Sequence, residues 1–157
     1  MKDQTTEFWD RIDSINAGML SLNTDLRFMP MSHYSDREKR SLWFITAKGT
    51  HLVDGLQSGP EKGQHLISSQ GEGLYANIHG ELSLSQDRAK LDEIWNMVAS
   101  SWFEEGKEDP DLQLVEMQLK TAEIWVTGGS SKFLYEIAKS KVTTHKPDMG
   151  THTIITF

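Results

Sequence analysis

The sequence contains no cysteine and no long hydrophobic segment. Without cysteine, a disulfide framework, a thiolate metal site and a cysteine nucleophile are all excluded. No apolar run approaches the roughly 20 residues that cross a bilayer. The acidic start, MKDQTTEFWDRI, also lacks the apolar core of a signal peptide. We therefore expect a cytoplasmic protein that has no membrane partner.

Positive charge is also scarce. The chain has 16 lysines and arginines against 23 aspartates and glutamates, which gives a formal net charge of -7. Proteins that bind nucleic acids neutralise phosphate groups with an excess of basic side chains. The charge balance therefore disfavours nucleic acid as a partner.

Familiar signatures of catalytic and metal sites are absent as well. There is no GxSxG sequence, and the six histidines, at positions 33, 51, 65, 79, 145 and 152, form no HxxxH or HExxH pattern. The segment GGSSK, at 128–132, lacks the spacing of a P-loop. A glycine turn followed by a helix capped by Ser130 or Ser131 is therefore favoured over a phosphate-binding loop. We predict no metal site and name no catalytic residue.

The length of the chain fits one domain. With 157 residues it can form a single core, because a domain of about 150 residues buries roughly two-thirds of its unfolded surface. We expect one domain over 1–157, in which 140–157 is a C-terminal tail.

The spacing of apolar residues predicts several helices. The first is expected over 5–16 and is ended by Gly18. A short one is expected over 52–56. The longest is expected to begin with Ser85 as its N-cap and to run to Trp102.

Short apolar or alternating segments predict the strands, which are GMLSLN, DLRFMPMSHY, SLWFIT, QHLISSQ, LYANIHGELSLS, LQLVEMQLKTAEIWV and GTHTIITF. Pro30 favours an edge position for the second segment, and Gly80 indicates a bulge or a close backbone approach. The sixth segment is expected to form two strands, broken near Leu119 and Lys120. Strands and helices in no regular alternation indicate an α+β fold, an antiparallel β-barrel with peripheral helices.

The junction in LWFITAKGTHLVDGL, at 42–56, changes from a strand pattern to a helix pattern through Thr46, Lys48, Gly49, Thr50 and His51. Backbone N–H groups, hydroxyls and an ammonium at the start of a helix are suited to holding a phosphate. A threonine in this place can equally cap the helix while the lysine stays in solvent. The segment by itself favours the ordinary capped turn, and both interpretations stay open.

The five tryptophans are many for this length. Such rings usually fill a core or an interface between subunits. The alternative is that some of them form the wall of a site for a flat aromatic ligand.

Several of these segments, in this order, resemble the FMN-binding split barrels of the pyridoxamine 5'-phosphate oxidase-like family, in its general stress protein branch. The matching segments are AGMLSL, RFMPM, LWFIT, LYANIHG and DRAKLDEIWNMVASSWFEEGKEDPDLQLVEMQLKTAEIWVTGGSSK. The similarity covers about residues 8–139. The resemblance implies an antiparallel split β-barrel that forms a homodimer, with FMN bound at the interface.

The resemblance also implies which residues contact the flavin. Arg27, Met29, Pro30 and Met31 would run along the isoalloxazine ring. Ile45 and Thr46 would lie against the ring and the ribityl chain. Lys48, Thr50 and His51 would face the phosphate. Tyr75 would contact the side of the ring, and Trp125 would approach it from the partner subunit.

Two positions depart from the pattern of the family. Met29 stands where many members have arginine, and Leu52 stands where many have lysine. Because charge-assisted contacts to phosphate are the strong ones, these departures predict weaker FMN binding unless Arg27 or Lys48 substitutes.

The first hypothesis for the function is an FMN-binding general stress protein that acts as a low-specificity flavin oxidoreductase or flavin carrier. The second is a non-enzymatic split-barrel dimer that has lost FMN and serves as a binding or stress module. The third is a related barrel that binds haem or a deazaflavin.

Overall fold

The computed structural model describes residues 3–128 and 150–157. Its helices are α1 Gln4–Ile12, α2 His51–Gly55, α3 Arg88–Ile94 and α4 Met97–Ser100, and a 3-10 turn covers Gly106–Glu108. Its strands are β1 Ala17–Leu22, β2 Asp25–Ser32, β3 Tyr34–Asp36, β4 Ser41–Ala47, β5 Glu61–Ser69, β6 Leu74–Ser85, β7 Leu112–Val126 and β8 Thr151–Thr156. The predicted helix capped by Ser130 or Ser131 lies outside the described residues, as does GGSSK apart from Gly128.

The strands form one antiparallel sheet in the order β2-β1-β5-β6-β7-β4-β3, with β8 added to β7. The two ends of this order curl toward each other, so that residues of β2 and β4 line one common groove. The predicted α+β class, an antiparallel barrel with few helices, is confirmed. Pro30 lies in β2, at one end of the sheet, as its missing N–H requires.

The prediction of two strands near Leu119 and Lys120 is wrong, because β7 is a single strand with a bulge. In its pairing with β6, His79 faces Thr121 but the next residue, Gly80, faces Leu119. Lys120 therefore has no partner residue on β6 and is the extra residue of the bulge. The other edge of β7 pairs first with β4 and then with β8. Gly80 has the predicted close approach, since a Cβ atom there would lie 2.4 Å from the carbonyl oxygen of Gln118.

The long helix predicted from Ser85 to Trp102 is two short helices. Asp87, rather than Ser85, caps α3, because its carboxylate accepts a hydrogen bond of 3.0 Å from the Lys90 N–H. Trp95 leaves the helix with φ -63° and ψ 128°. The side chain of Asn96 then accepts from the Ala99 N–H at 2.9 Å and begins α4. Side-chain oxygens of this kind compete with the backbone hydrogen bonds of a helix. The spacing of apolar residues gives no sign of this competition, so the break in the helix was not predicted.

The first helix is also shorter than predicted, since α1 ends at Ile12. Gly18 does not end the helix but lies inside β1. A Cβ atom on Gly18 would lie 2.5 Å from the carbonyl oxygen of Leu66 and 2.7 Å from Nε2 of His65. The glycine is therefore required by close packing between β1 and β5.

The inner face of the sheet and the apolar side of α1 share one hydrophobic core. Phe8 and Phe157 meet edge to face, with ring centroids 5.2 Å apart, and Trp9 packs beside both. Trp43 belongs to a second cluster with Leu91 and Leu114, under α3. Within the described residues, no helix has the length and apolar character needed to cross a membrane.

Candidate functional site

A groove of about 340 Å³ lies between β2 and β4, a volume within the range of small-molecule sites. Each of its walls comes from a different part of the chain. The first is formed by Pro30, Met31, Ser32 and Tyr34, the second by Ile45, Thr46, Ala47 and Thr50, and the third by Ala99, Trp102 and Phe103. The structure therefore brings together Pro30, Met31, Ile45, Thr46 and Thr50, which the sequence placed in one site.

The strand β4 explains why its end lines the groove. From Ser41 to Phe44 the strand is buried, and from Ile45 to Ala47 it is half-buried. Gly49 then turns the chain with φ 82°, a value that glycine adopts without strain. The strand thus leaves the core just where the groove begins.

Thr50 acts as the N-cap of α2. Its hydroxyl donates to the Ala47 carbonyl at 2.8 Å and accepts from the Val53 N–H at 3.4 Å. The hydroxyl proton is therefore already engaged, so Thr50 would have to release Ala47 before its side chain could donate to an anion. The local geometry is that of the capped turn considered from the sequence.

Lys48 and His51 lie beside the groove rather than in it. Lys48 lines a neighbouring depression of about 200 Å³ that also contains Arg88 and Lys107. His51 directs Nε2 to the carboxylate of Asp25, on the opposite flank. The two residues expected to face a phosphate are thus separated, with Thr50 between them in the chain.

Of the two departures from the family pattern, Leu52 has a structural role. Its side chain is 1% exposed and belongs to the main core. A lysine here would have to leave the core to reach an anion. Met29, by contrast, is half-buried in β2 at the rim of the core, and Arg27 is exposed on the same strand.

Tyr75 and Trp125 lie on another part of the sheet. They face each other across β6 and β7, and neither lines the groove. The Trp125 ring stacks on His152, with centroids 4.8 Å apart and an interplanar angle of 1°. Within one chain, the structure does not bring these two residues to the other predicted site residues.

Tyr34, Ala99, Trp102 and Phe103 also line the groove, and no sequence pattern placed them there. They reach the groove because Asn96 Nδ2 donates to the Tyr34 hydroxyl at 3.2 Å, which ties the α3–α4 junction to β3. Trp102 was the available signal, but its helical spacing assigns it to the predicted helix that begins at Ser85.

Two buried charged or titratable groups support the walls. Burial alone would lower the pKa of Lys90, but hydrogen bonds to Asp36 and Glu93 raise it, so the ammonium stays charged. Lys90 Nζ lies 2.7 Å from the Asp36 carboxylate and joins α3 to β3. The pKa of His65 is lowered to about 3, mainly by burial and to a smaller extent by the neighbouring His33. Among the residues that the structure describes, no group of three His, Asp or Glu side chains is arranged as metal ligands.

Comparisons with known proteins agree with this architecture. The family model described as pyridoxamine 5'-phosphate oxidase like matches residues 3–148. A solved structure assigned as general stress protein 26 from Jannaschia sp. CCS1 is 44% identical, with 98% of each chain covered and a TM-score of 0.92. No protein with a curated function matches the chain.

Two further solved structures come from Xanthomonas. The general stress family protein of Xanthomonas campestris pv. campestris is 31% identical, covers 83% of this chain and 93% of its own, and has a TM-score of 0.71. The general stress FMN/FAD binding protein of Xanthomonas citri is 31% identical, covers 80% of this chain and 90% of its own, and has a TM-score of 0.71.

The curled, incompletely closed antiparallel barrel is thus the split barrel expected from the sequence. The resemblance to the general stress protein branch is confirmed as well. The chain belongs to the pyridoxamine 5'-phosphate oxidase-like family.

Proposed function

We propose that this chain binds FMN in the groove between β2 and β4 and acts as a low-specificity flavin oxidoreductase or flavin carrier. One observation carries the proposal: Pro30, Met31, Ile45 and Thr46, which the resemblance places along a flavin, line one groove. The Xanthomonas citri relative is named an FMN/FAD binding protein, which supports a flavin as the ligand.

The groove has the chemistry that a flavin ring requires. Pro30, Met31 and Ile45 provide apolar surface, and Thr46 adds a hydroxyl. A planar ring with one polar edge suits walls of this kind, because apolar contacts supply affinity and a few polar groups fix the orientation.

The phosphate would be held by cations that lie on, or directly after, the two strands of the groove. Lys48 follows β4 directly, and Arg27 is exposed on β2. Each can reach outward because neither side chain is buried. With Met29 and Leu52 uncharged, these two residues take the place of the cations that the family pattern contains.

A bound flavin would supply the electron-transfer chemistry, and the protein would supply position and electrostatics. The described residues of the groove include no carboxylate, histidine or lysine. We therefore assign them binding and orienting roles and no proton transfer.

We further propose that the protein is a homodimer in which each flavin lies near the partner's Trp125 and Tyr75. The outer face of the sheet supports this arrangement, because it carries Met19, Trp125 and Ile154 as exposed apolar side chains. Met19, Leu66, Asn77, Glu123 and Ile154 follow one another across neighbouring strands in register. Burial of this row is the expected role of the second copy, and a sedimentation-equilibrium mass of one chain would contradict it.

A second candidate function is a split-barrel dimer that has lost FMN. Met29 in place of a cation, together with the engaged Thr50 hydroxyl and the paired His51, favours this alternative. It predicts that Met29→Arg creates FMN binding that the parent lacks. Leu52→Lys is unsuitable for this test because Leu52 is a core residue.

The deciding experiment is an absorption spectrum of the protein purified from its native host, followed by titration with FMN. Flavin bands, or saturable quenching of added FMN fluorescence, are expected. A haem or deazaflavin spectrum would point to the third hypothesis. Colourless protein that leaves FMN fluorescence unchanged would contradict FMN binding.

A further inference from the structure

The third wall of the groove is held firmly in place. Ala99 and Phe103 are both buried, and Phe103 packs against Trp95 with ring centroids 6.3 Å apart. The hydrogen bond from Asn96 to Tyr34 anchors the same segment to β3. These contacts attach the third wall to β3 and to the neighbouring Trp95.

Trp102 differs from its neighbours in this wall. Its side chain is 78% exposed, although it lines the groove together with the buried Ala99 and Phe103. An indole ring that packs against another group buries a large apolar area, which is stabilising. The exposed ring of Trp102 does not gain this stabilisation. Among residues 3–128 and 150–157, no aromatic ring packs against the Trp102 indole.

A flat ring in the groove would meet apolar side chains from different parts of the chain. Pro30, Met31 and Ile45 contribute apolar lining from β2 and β4, and Trp102 adds an aromatic side chain from a separate part of the chain. Stacking on an aromatic side chain strengthens binding of a planar heterocycle such as a nucleobase by roughly 5-fold to 150-fold. We propose that Trp102 stacks on the isoalloxazine ring of the bound flavin and covers it from solvent. This inference rests on the proposed function.

Stacking makes two measurable contributions. It strengthens binding of the ring, which FMN and riboflavin share, and it leaves the phosphate contacts unchanged. An indole in contact with a flavin also quenches the flavin fluorescence. The role of Trp102 is therefore separable from that of the cations.

The test compares Trp102→Ala, Trp102→Phe and the parent protein in titrations with FMN and with riboflavin. Trp102→Ala should raise both dissociation constants by about tenfold, to a similar extent. Trp102→Phe should keep most of the affinity, and both variants should bind flavin with brighter fluorescence than the parent. Leu26→Ala is the matched control, because Leu26 is 67% exposed but lies outside the groove.

Equal affinity and equal bound fluorescence in Trp102→Ala and the parent would overturn the inference while leaving flavin binding intact. Weaker binding of FMN but not of riboflavin would also overturn it, since the effect would then concern the phosphate. If the parent binds neither flavin, the proposed function fails and this inference fails with it. Should Trp102→Ala lose its fold by circular dichroism, the fluorescence of flavin bound to Trp102→Phe decides.

Discussion

The Nδ1 atom of His33 lies 2.9 Å from the Nε2 atom of His65, inside the protein. Both side chains are buried, and the rings meet edge to face. One nitrogen must donate and the other must accept, so this contact requires the accepting ring to be neutral and is lost if both rings are protonated. The pair joins β5 to the connection between β2 and β3, where His33 stands between Ser32 and Tyr34, two residues that line the groove.

This histidine pair predicts acid sensitivity. Burial, then His33, lowers the pKa of His65 from 6.5 to about 3, and burial also lowers the pKa of His33. The unfolded chain therefore binds more protons than the folded chain between these values, and stability falls as the pH falls from 6.5. Each such proton changes the free energy of unfolding by up to about 1.4 kcal/mol per pH unit. Urea unfolding from pH 7.5 to 4 measures this slope.

The variant His65→Leu should be less stable than the parent at pH 7 but should show a shallower decline toward pH 4. The matched control is His79→Leu, since His79 is only half-buried and none of the aromatic rings that the structure describes packs against it. Identical pH slopes for His65→Leu and the parent would show that the pair does not titrate on unfolding.

Gly18→Ala should destabilise the fold, because the new methyl group would lie 2.5 Å from the Leu66 carbonyl oxygen and 2.7 Å from His65 Nε2. Overpacking of this kind costs about 1–3 kcal/mol. Urea unfolding of Gly18→Ala and Gly71→Ala makes the comparison. Gly71 has no atom within 4 Å of its Cβ position, so Gly71→Ala should remain near the stability of the parent, and a similar loss in both variants would contradict the packing argument.

Asp36→Asn should destabilise the protein strongly. The buried Lys90 and the partly buried Asp36 form an ion pair of 2.7 Å between β3 and α3, and removing Asp36 leaves the Lys90 charge poorly compensated. Such changes cost about 3–5 kcal/mol, and the remaining contact of Lys90 with Glu93 places the expected loss at the lower end. Thermal unfolding measures the effect.

Arg37→Ala is the control for the ion pair, because the Arg37 contact with Asp10 is exposed to solvent. Exposed pairs contribute about 0–1 kcal/mol. A loss for Asp36→Asn as small as that for Arg37→Ala would show that burial does not decide the strength of the Asp36 contact.

Lys48→Ala should weaken binding of FMN and leave binding of riboflavin unchanged, because only FMN carries the phosphate. A charge-assisted contact of about 1.5–3 kcal/mol corresponds to a loss of roughly 10-fold to 100-fold in affinity. Lys62→Ala, another exposed lysine but on β5, is the control in the same titrations. Equal losses for both flavins would place Lys48 away from the phosphate.

Local sequence patterns were sufficient for most elements. The hairpin of β1 and β2, the strand β4 and the turn into α2 lie where apolar alternation and turn residues placed them. The pattern failed where a side chain competes with the backbone, as Asn96 does between α3 and α4. It also failed at Gly18, whose need for a bare Cα comes from the distant His65.

The candidate site shows the same division. Pro30, Met31, Ile45 and Thr46 were placed together because contiguous motifs on two strands carried the resemblance. Trp102 was not, because its arrival at the groove depends on the break after Trp95 and on the contact between Asn96 and Tyr34.

The sequence by itself determined the strand and helix types, the family, and the presence of a polar junction after β4, since these depend on residue types at short spacing. Only the tertiary structure decided that β7 is one strand exchanging β4 for β8 at Lys120, that Leu52 belongs to the core, and that Trp102 faces the groove. The physical reason is that contacts between residues far apart in the chain decide which strands pair, which side chains are buried and which residues line the groove. The local spacing of apolar residues carries no information about these contacts.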